Sequence, residues 1–367
     1  MPLYLNEDQA MLRDTARDFM ASEGAIAKQL RHWRDRNCKD GFGHALWKQF
    51  GEMGFTGILI DEADGGLGLG HVEAGIVLEE IGRNLTPSPF LVTAVAVVEA
   101  LQGTAAREHW LPGILSGDTV AALAVDEGPK HRPDAIAMTA ERSGNGFRLS
   151  GRKQFVVQGA SADFFVVAAR TDEGIGLFLV EKEAQGLDVE GVRLADSSIG
   201  ARLDFNGVEV DADALIGGEE ALSRVLRAGR AGAASEMVGV ASGAMGMTVD
   251  YLKQRKQFGR LIGEFQVLQH RAAHLYSELE IARAATLKAQ QLLDEGSAEA
   301  EAMVSVAKAK AGRVSTLAVQ EGVQMHGGIG MTDEYDIGLY MKRDRVLNEL
   351  FGDANYHADR LARLLGY

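Results

Sequence analysis

Tyr251-Leu-Lys-Gln-Arg-Lys-Gln-Phe-Gly259 and, further on, Gln324-Met-His-Gly-Gly-Ile-Gly330 are the stretches on which the reading of this chain turns. In the first, a helix delivers Arg255 beside an aromatic residue, Phe258, and a glycine, Gly259, at which the chain can turn sharply. A guanidinium holds a diphosphate through two parallel hydrogen bonds, and an aromatic ring covers an apolar part of a nucleotide. The plainer reading is a solvated basic helix end, with Arg255, Lys256 and Arg260 stabilising the C-terminal dipole. The first segment alone does not separate the two. In the second, Gly327, Gly328 and Gly330 strip side chains from a short stretch, so that backbone N–H groups can approach a ligand, and Gln324 adds an amide. A lone glycine turn of this kind is usually a helix C-cap; the two segments together favour the nucleotide.

Outward from these motifs, the chain after Gly217-Gly218 is alanine-rich and helical in pattern to its end. Leu268, Ala272, Leu275, Leu279 and Ala282 form one apolar stripe, Glu299 to Gln320 supports another helix, and Gly296-Ser297 breaks the pair into an antiparallel hairpin, so that a four-helix bundle is expected. Between Thr119 and Ile216 the pattern changes to short β-rich runs separated by glycine turns: Phe155–Val157, Phe164–Ala168, Leu177–Val180, Leu203–Phe205 and Val208–Val210. The turn Ser143-Gly-Asn-Gly146 suits a hairpin. Before that, apolar residues three and four apart (Leu5, Leu12, Ala16, Phe19, then Leu46, Phe50, Met53) predict amphipathic helices. Within this part Gly65 to Gly70, GGLGLG, lacks dinucleotide-loop spacing and is expected as a surface turn. The fold class is α+β, with three domains: 1–117 helical, 118–217 a small β-sheet or barrel, 218–367 a helical bundle.

With 367 residues, 46% hydrophobic and 25% charged, the chain is long enough for several cooperating cores and has the composition of a globular protein. Acidic residues outnumber basic ones 52 to 38, and the net charge of −14 with no basic, aromatic-interleaved patch argues against nucleic acid. The single cysteine, Cys38, excludes an internal disulfide, and no Cys/His cluster has metal-ligand spacing; both fit a reducing cytoplasm. The N-terminus mixes charges with apolar residues at helical spacing and lacks the pattern of an export signal. The longest apolar stretch, Leu91 to Val98, falls far short of the roughly 20 residues that span a bilayer, so a buried helix and no membrane association are expected.

The two motifs in this order, with Gln266 in GEFQVLQH and Arg343-Asp344 in MKRDRVL, closely resemble the acyl-CoA dehydrogenase family. Weaker matches are GGLGLG followed by Glu79-Glu80-Ile-Gly-Arg83, and LDFNGVEVDADALIG, Leu203 to Gly217; the resemblance covers the whole chain. It implies FAD bound between subunits of a homo- or hetero-oligomeric dimer or tetramer, with the arginine-aromatic and Gln-x-x-Gly-Gly segments of one subunit reaching a neighbour's cofactor. Arg255, Phe258, Gln266, Gln324, Gly327 and Gly328 match those positions. The resemblance also implies an acyl-CoA thioester as substrate, with Arg230 near it, and electron-transfer flavoprotein as the acceptor. An ordinary helix-surface ion pair is the competing reading of Arg230.

The implied reaction removes the α-proton of the thioester with a carboxylate while the β-hydrogen leaves as hydride, which asks for a desolvated acid within hydrogen-bond reach. Counting from Arg343-Asp344, the family's usual glutamate position falls at Gly352, and the alternative position, one before Arg230, is Gly229. Asp353 lies next to the first, but one residue's shift rotates a side chain by ~100° on a helix, and a capping role competes. Glu236, seven residues from Gly229 on the same helical face but ~10 Å along the axis, is the other candidate acid, with partnership to Arg230 or another cation as its plainer role. The family's Trp-Ile-Thr strand appears as Phe155-Val156-Val157, without the flavin-bonding hydroxyl, and its glycine- and serine-rich loop reads Asp126-Glu-Gly-Pro-Lys-His-Arg-Pro133. Three readings follow: a heteromeric dehydrogenase in which this subunit completes a partner's FAD site and the partner supplies the base; a homomeric enzyme with Asp353 or Glu236 as an atypical base; and a non-catalytic scaffold. His326 is expected as a hydrogen-bonded structural residue, with cofactor contact as the alternative.

Overall fold

A computed structural model describes residues 3–367; Met1 and Pro2, with which the expected N-terminal domain and the export reading begin, lie outside the described residues. In chain order the helices are α1 (Glu7–Ser22), α2 (Leu30–Asp35), α3 (His44–Glu52), α4 (His71–Asn84), α5 (Val98–Leu101), α6 (Arg107–Leu115), α7 (Glu219–Gln254), α8 (Gln266–Asp294), α9 (Ala300–His326), α10 (Ile337–Glu349) and α11 (Ala354–Leu364). The strands are β1 (Ala121–Ala124), β2 (Thr139–Ser143), β3 (Gly146–Val157), β4 (Phe164–Thr171), β5 (Gly174–Glu181), β6 (Leu187–Arg193), β7 (Ile199–Val210), β8 (Leu215–Gly217), and the short pair β9 (Lys256–Gln257) and β10 (Arg260–Leu261). Helices, then a sheet, then a helical bundle follow one another as the periodicities predict. The chain divides into two compact units, one formed by Met1–Leu30, His71–Thr86 and Arg230–Tyr367, the other by Arg31–Gly70 and Pro87–Gly229.

In the first unit, α1 begins with a capping box: the Asn6 side chain accepts from Gln9 N, and the Gln9 side chain accepts from Asn6 N. The α7 residues from Arg230 to Ser242 are all buried. The alanines, glycines and serines of this stretch let neighbouring elements approach it closely. A Cβ built on Gly239 of α7 would lie 2.0 Å from the Glu79 carbonyl of α4, and one on Gly82 of α4 would lie 2.1 Å from the Glu236 carbonyl of α7. The two helices therefore cross backbone against backbone. Helices α8 and α9 form the expected antiparallel pair, with Gly296 at φ +62° in the turn between them.

The second unit carries a sheet in the order β6-β7-β3-β2-β4-β5-β8, with β1 added parallel to β4. The β2–β3 hairpin turns at Gly144-Asn145, as its sequence predicts. One expectation needs correction: Leu203–Phe205 and Val208–Val210 are a single strand, β7. Asn206-Gly207 does not end it, because the register against β3 shifts between Leu149 and Ser150 and absorbs the extra residue as a bulge. A second shift between Lys153 and Val156 places Phe155 at φ +54°. Leu91–Val97 is a wholly buried π-helical stretch running into α5, and no helix among the described residues is long and apolar enough to cross a membrane.

Candidate active site

The two sequence motifs meet in the first unit. Helix α7 ends at Gln254, and the chain then forms the β9–β10 hairpin, whose turn holds Phe258 at φ +54° and Gly259 at φ +81°. Tyr251, on the last turn of α7, stacks on His326 at the end of α9 with ring centroids 4.4 Å apart, and Tyr335 closes the trio at 4.8 Å from His326. This aromatic cluster fastens the arginine-aromatic segment to the Gln-x-x-Gly-Gly segment. His326 is buried, its Nδ1 lies 2.6 Å from the Gly322 carbonyl, and burial pushes its pKa down. It therefore serves as a neutral packing residue.

Around that fixed centre the ligand-type groups are exposed. Arg255, Gln266, Gln324, Gly327 and Gly328 are all exposed, and Phe258 is 92% exposed. Its ring meets only the edge of Phe265, with centroids 6.2 Å apart, and otherwise stands in water at a positive-φ turn, so most of its apolar surface is offered to something else. A Cβ built on Gly327 or Gly328 meets nothing within 4 Å, so the backbone there is bare toward solvent. Guanidinium, ring, side-chain amides and bare backbone together suit a dinucleotide such as FAD.

The residues expected at the chemistry are engaged elsewhere. Arg230, 1% exposed, donates from Nη2 to the Tyr356 hydroxyl at 3.2 Å, and its Nη1 lies 3.7 Å from Glu301. Glu236, 2% exposed, accepts from Arg343 Nε at 2.7 Å and Nη2 at 2.6 Å, so the cation it meets is Arg343 of α10. Asp353 is the N-cap of α11, its carboxylate accepting from Asn355 N at 3.0 Å and Tyr356 N at 2.8 Å. Gly352 is buried at φ +99°. Beneath it, buried Lys308 of α9 donates to the carbonyls of Leu347 and Gly352, 3.0 Å each, and burial brings its pKa down to about 7 against the pull of Asp344. Sequence reasoning missed Lys308, Tyr356 and Glu301. Asp353 had a usable signal as a helix cap; Tyr356 and Lys308, the latter inside an alanine-rich run, had none.

In the second unit the charged loop folds onto itself. His131 Nδ1 lies 2.9 Å from Asp126, and Lys153, wholly buried on β3, donates to Glu127 at 2.7 Å and to the Val125 carbonyl at 3.0 Å. Glu127 also accepts from Ala137 N and Met138 N. Carboxylates offer a phosphate no donor, and Val156 and Val157 are buried without a hydroxyl. The loop and strand of this unit fit a flavin poorly, whereas the exposed elements of the first unit fit a dinucleotide.

Comparison with known proteins covers nearly the whole chain. The family models of the acyl-CoA dehydrogenase N-terminal, middle and C-terminal domains match residues 6–118, 122–207 and 217–366. The acyl-CoA dehydrogenase FadE12 of Mycobacterium tuberculosis is 31% identical over 93% of this chain and 91% of its own. Among solved structures, a variant of the Tcur3481-Tcur3483 steroid ACAD matches with a TM-score of 0.91 at 32% identity over 98% of each chain. The ChsE4-ChsE5 complex from Mycobacterium tuberculosis matches with a TM-score of 0.91 at 25% identity over 100% of this chain and 99% of that one. Members of this family are FAD-dependent oxidoreductases acting on the CH–CH bond of acyl-CoA thioesters, and this chain belongs to it: it is an acyl-CoA dehydrogenase family protein.

Proposed function

We propose that this chain is the subunit of a heteromeric acyl-CoA dehydrogenase that completes the FAD site of a partner, the partner supplying the base. The observation that carries this reading is the contrast within the chain: Phe258, Arg255 and the backbone of Gly327-Gly328 are turned out to solvent, while position 352 is a glycine and the two candidate acids, Asp353 and Glu236, cap a helix and neutralise Arg343. Two of the solved structures it resembles bear paired names, Tcur3481-Tcur3483 and ChsE4-ChsE5, the second described as a complex, which supports a mixed assembly.

FAD, when bound, would supply the acceptor for the hydride that leaves the β-carbon of the thioester. This chain's part is to hold and orient that cofactor. Arg255 would hold the diphosphate, Phe258 would cover an apolar part of the nucleotide, and Gln266, Gln324 and the N–H groups of Gly327-Gly328 would bond its polar groups. The substrate class is an acyl-CoA, with a steroid side chain as one candidate acyl group, by likeness to the Tcur3481-Tcur3483 steroid ACAD. Electrons pass on to electron-transfer flavoprotein, and the compartment is the cytoplasm. Purifying the chain alone and together with the product of a neighbouring gene tests the reading. FAD and acyl-CoA oxidation should appear only in the pair; full FAD occupancy and turnover by the lone chain would reject it.

A further inference from the structure

The turn Phe351-Gly352-Asp353 is held more firmly than a connection between two helices requires. Lys308 bonds the Leu347 and Gly352 carbonyls, His357 Nε2 lies 3.0 Å from the Phe351 carbonyl, and Asp353 caps α11. A Cβ built on Gly352 would lie 2.4 Å from Cδ1 and 3.0 Å from Cγ of Tyr356, well inside van der Waals contact. Those atoms are at the root of the ring, where a small rotation does not clear them. The far end is held as well. The Tyr356 hydroxyl accepts from Arg230, whose guanidinium carbon lies 5.7 Å from the ring centroid. Glu301, beside Arg230, also accepts from Arg360 Nε at 2.9 Å.

We propose that Tyr356, braced by Arg230, blocks position 352 and so keeps this chain from presenting a catalytic carboxylate there. The exclusion then involves two residues. Restoring an acid by Gly352→Glu alone would drive its first side-chain carbon into the ring, on a backbone at φ +99° that L side chains rarely adopt. The inference rests on the reading that the family's base position falls at Gly352, and it deepens that reading by naming what fills the place.

The test is a thermal-unfolding cycle on the purified protein with Gly352→Ala, Tyr356→Ala and the double variant. Adding the Cβ should lower Tm by several degrees with the ring present and by no more than about half as much without it. An equal drop in both backgrounds overturns the proposal. If Gly352→Ala does not fold, a double variant that folds as well as Tyr356→Ala supports it, and a double variant that also fails overturns it. A second readout uses Tyr356→Phe, which keeps the ring, and follows flavin bleaching by butyryl-, octanoyl- and palmitoyl-CoA in the FAD-loaded co-purified pair. Equal bleaching, or none, in wild type and variant agrees with a blocking ring. Bleaching lost in the variant with FAD retained makes the phenol a proton acceptor and overturns the proposal. Equal bleaching by the lone chain would refute the partner-subunit reading while the unfolding cycle still decides the exclusion, so the two failures are distinguishable.

Discussion

Replacing Glu236 with glutamine separates a structural acid from a catalytic one. Its carboxylate is 2% exposed and accepts two hydrogen bonds from Arg343, at 2.6 and 2.7 Å, tying α7 to α10. Removing one partner of a buried ion pair costs ~3–5 kcal/mol, because the remaining charge stays desolvated. Arg343 keeps a fifth of its side chain in water, with 20% exposure, so the cost should fall below that range, at about 2–3 kcal/mol. Urea unfolding of Glu236→Gln, Arg343→Met and the double variant measures it, and a double-mutant cycle should return a coupling energy of about 2 kcal/mol. Bound FAD per protein should not change. A loss below about 0.5 kcal/mol would mean that the pair behaves as an exposed one and does not tie α7 to α10. Undiminished stability accompanied by a fall in turnover of orders of magnitude would identify Glu236 as the base.

Asp353→Ala should cost about 1 kcal/mol through loss of the α11 cap, read by urea unfolding, with FAD content unchanged. Lys308 should make stability depend on pH: burial lowers its folded pKa to about 7 from 10.5, so between those values the unfolded chain binds the proton that the native one lacks, and stability rises with pH. Lys308→Met should flatten the rise measured between pH 7 and 9.5 (roughly the span of the Lys308 shift), and an unchanged slope would refute it. His326, whose pKa is also lowered by burial, contributes stability that is lost as pH falls below its ordinary 6.5. His326→Asn should reduce that acid-side loss in thermal scans taken from pH 7 to 5 (about the range over which histidine titrates).

The fold was legible because its signals are local. The α8 stripe from Leu268 to Ala282, the Gly296-Ser297 break and the Gly144-Asn145 hairpin are each set by spacing or by one turn. The joining of Leu203–Phe205 to Val208–Val210 was not legible, because a bulge depends on the opposite strand, and β3 supplies the compensating shift. The exposure of Arg255, Phe258 and the glycines could also be read, since they occupy a helix end and turns. The interior half could not. Lys308 beneath Gly352, and Arg230 against Tyr356, join residues dozens of positions apart, and buried cations in an alanine-rich helix look in sequence like solvated ones. The partner of Glu236 was open for the same reason: Arg230 is nearer in sequence, but Arg343 is the cation α10 brings to it.

On this reading the exposed arginine, ring and glycine elements grip a flavin nucleotide belonging to an adjacent subunit. Bound FAD per subunit, measured for the co-purified pair carrying wild-type or Arg255→Ala/Phe258→Ala chain, tests it most directly. Both side chains are exposed and lie outside the core, so the chain's own unfolding curve should stay within about 0.5 kcal/mol of wild type. FAD bound by the wild-type pair should be lost from the variant pair. Full FAD retention by the variant pair, or stoichiometric FAD in the lone wild-type chain as a monomer, would contradict it.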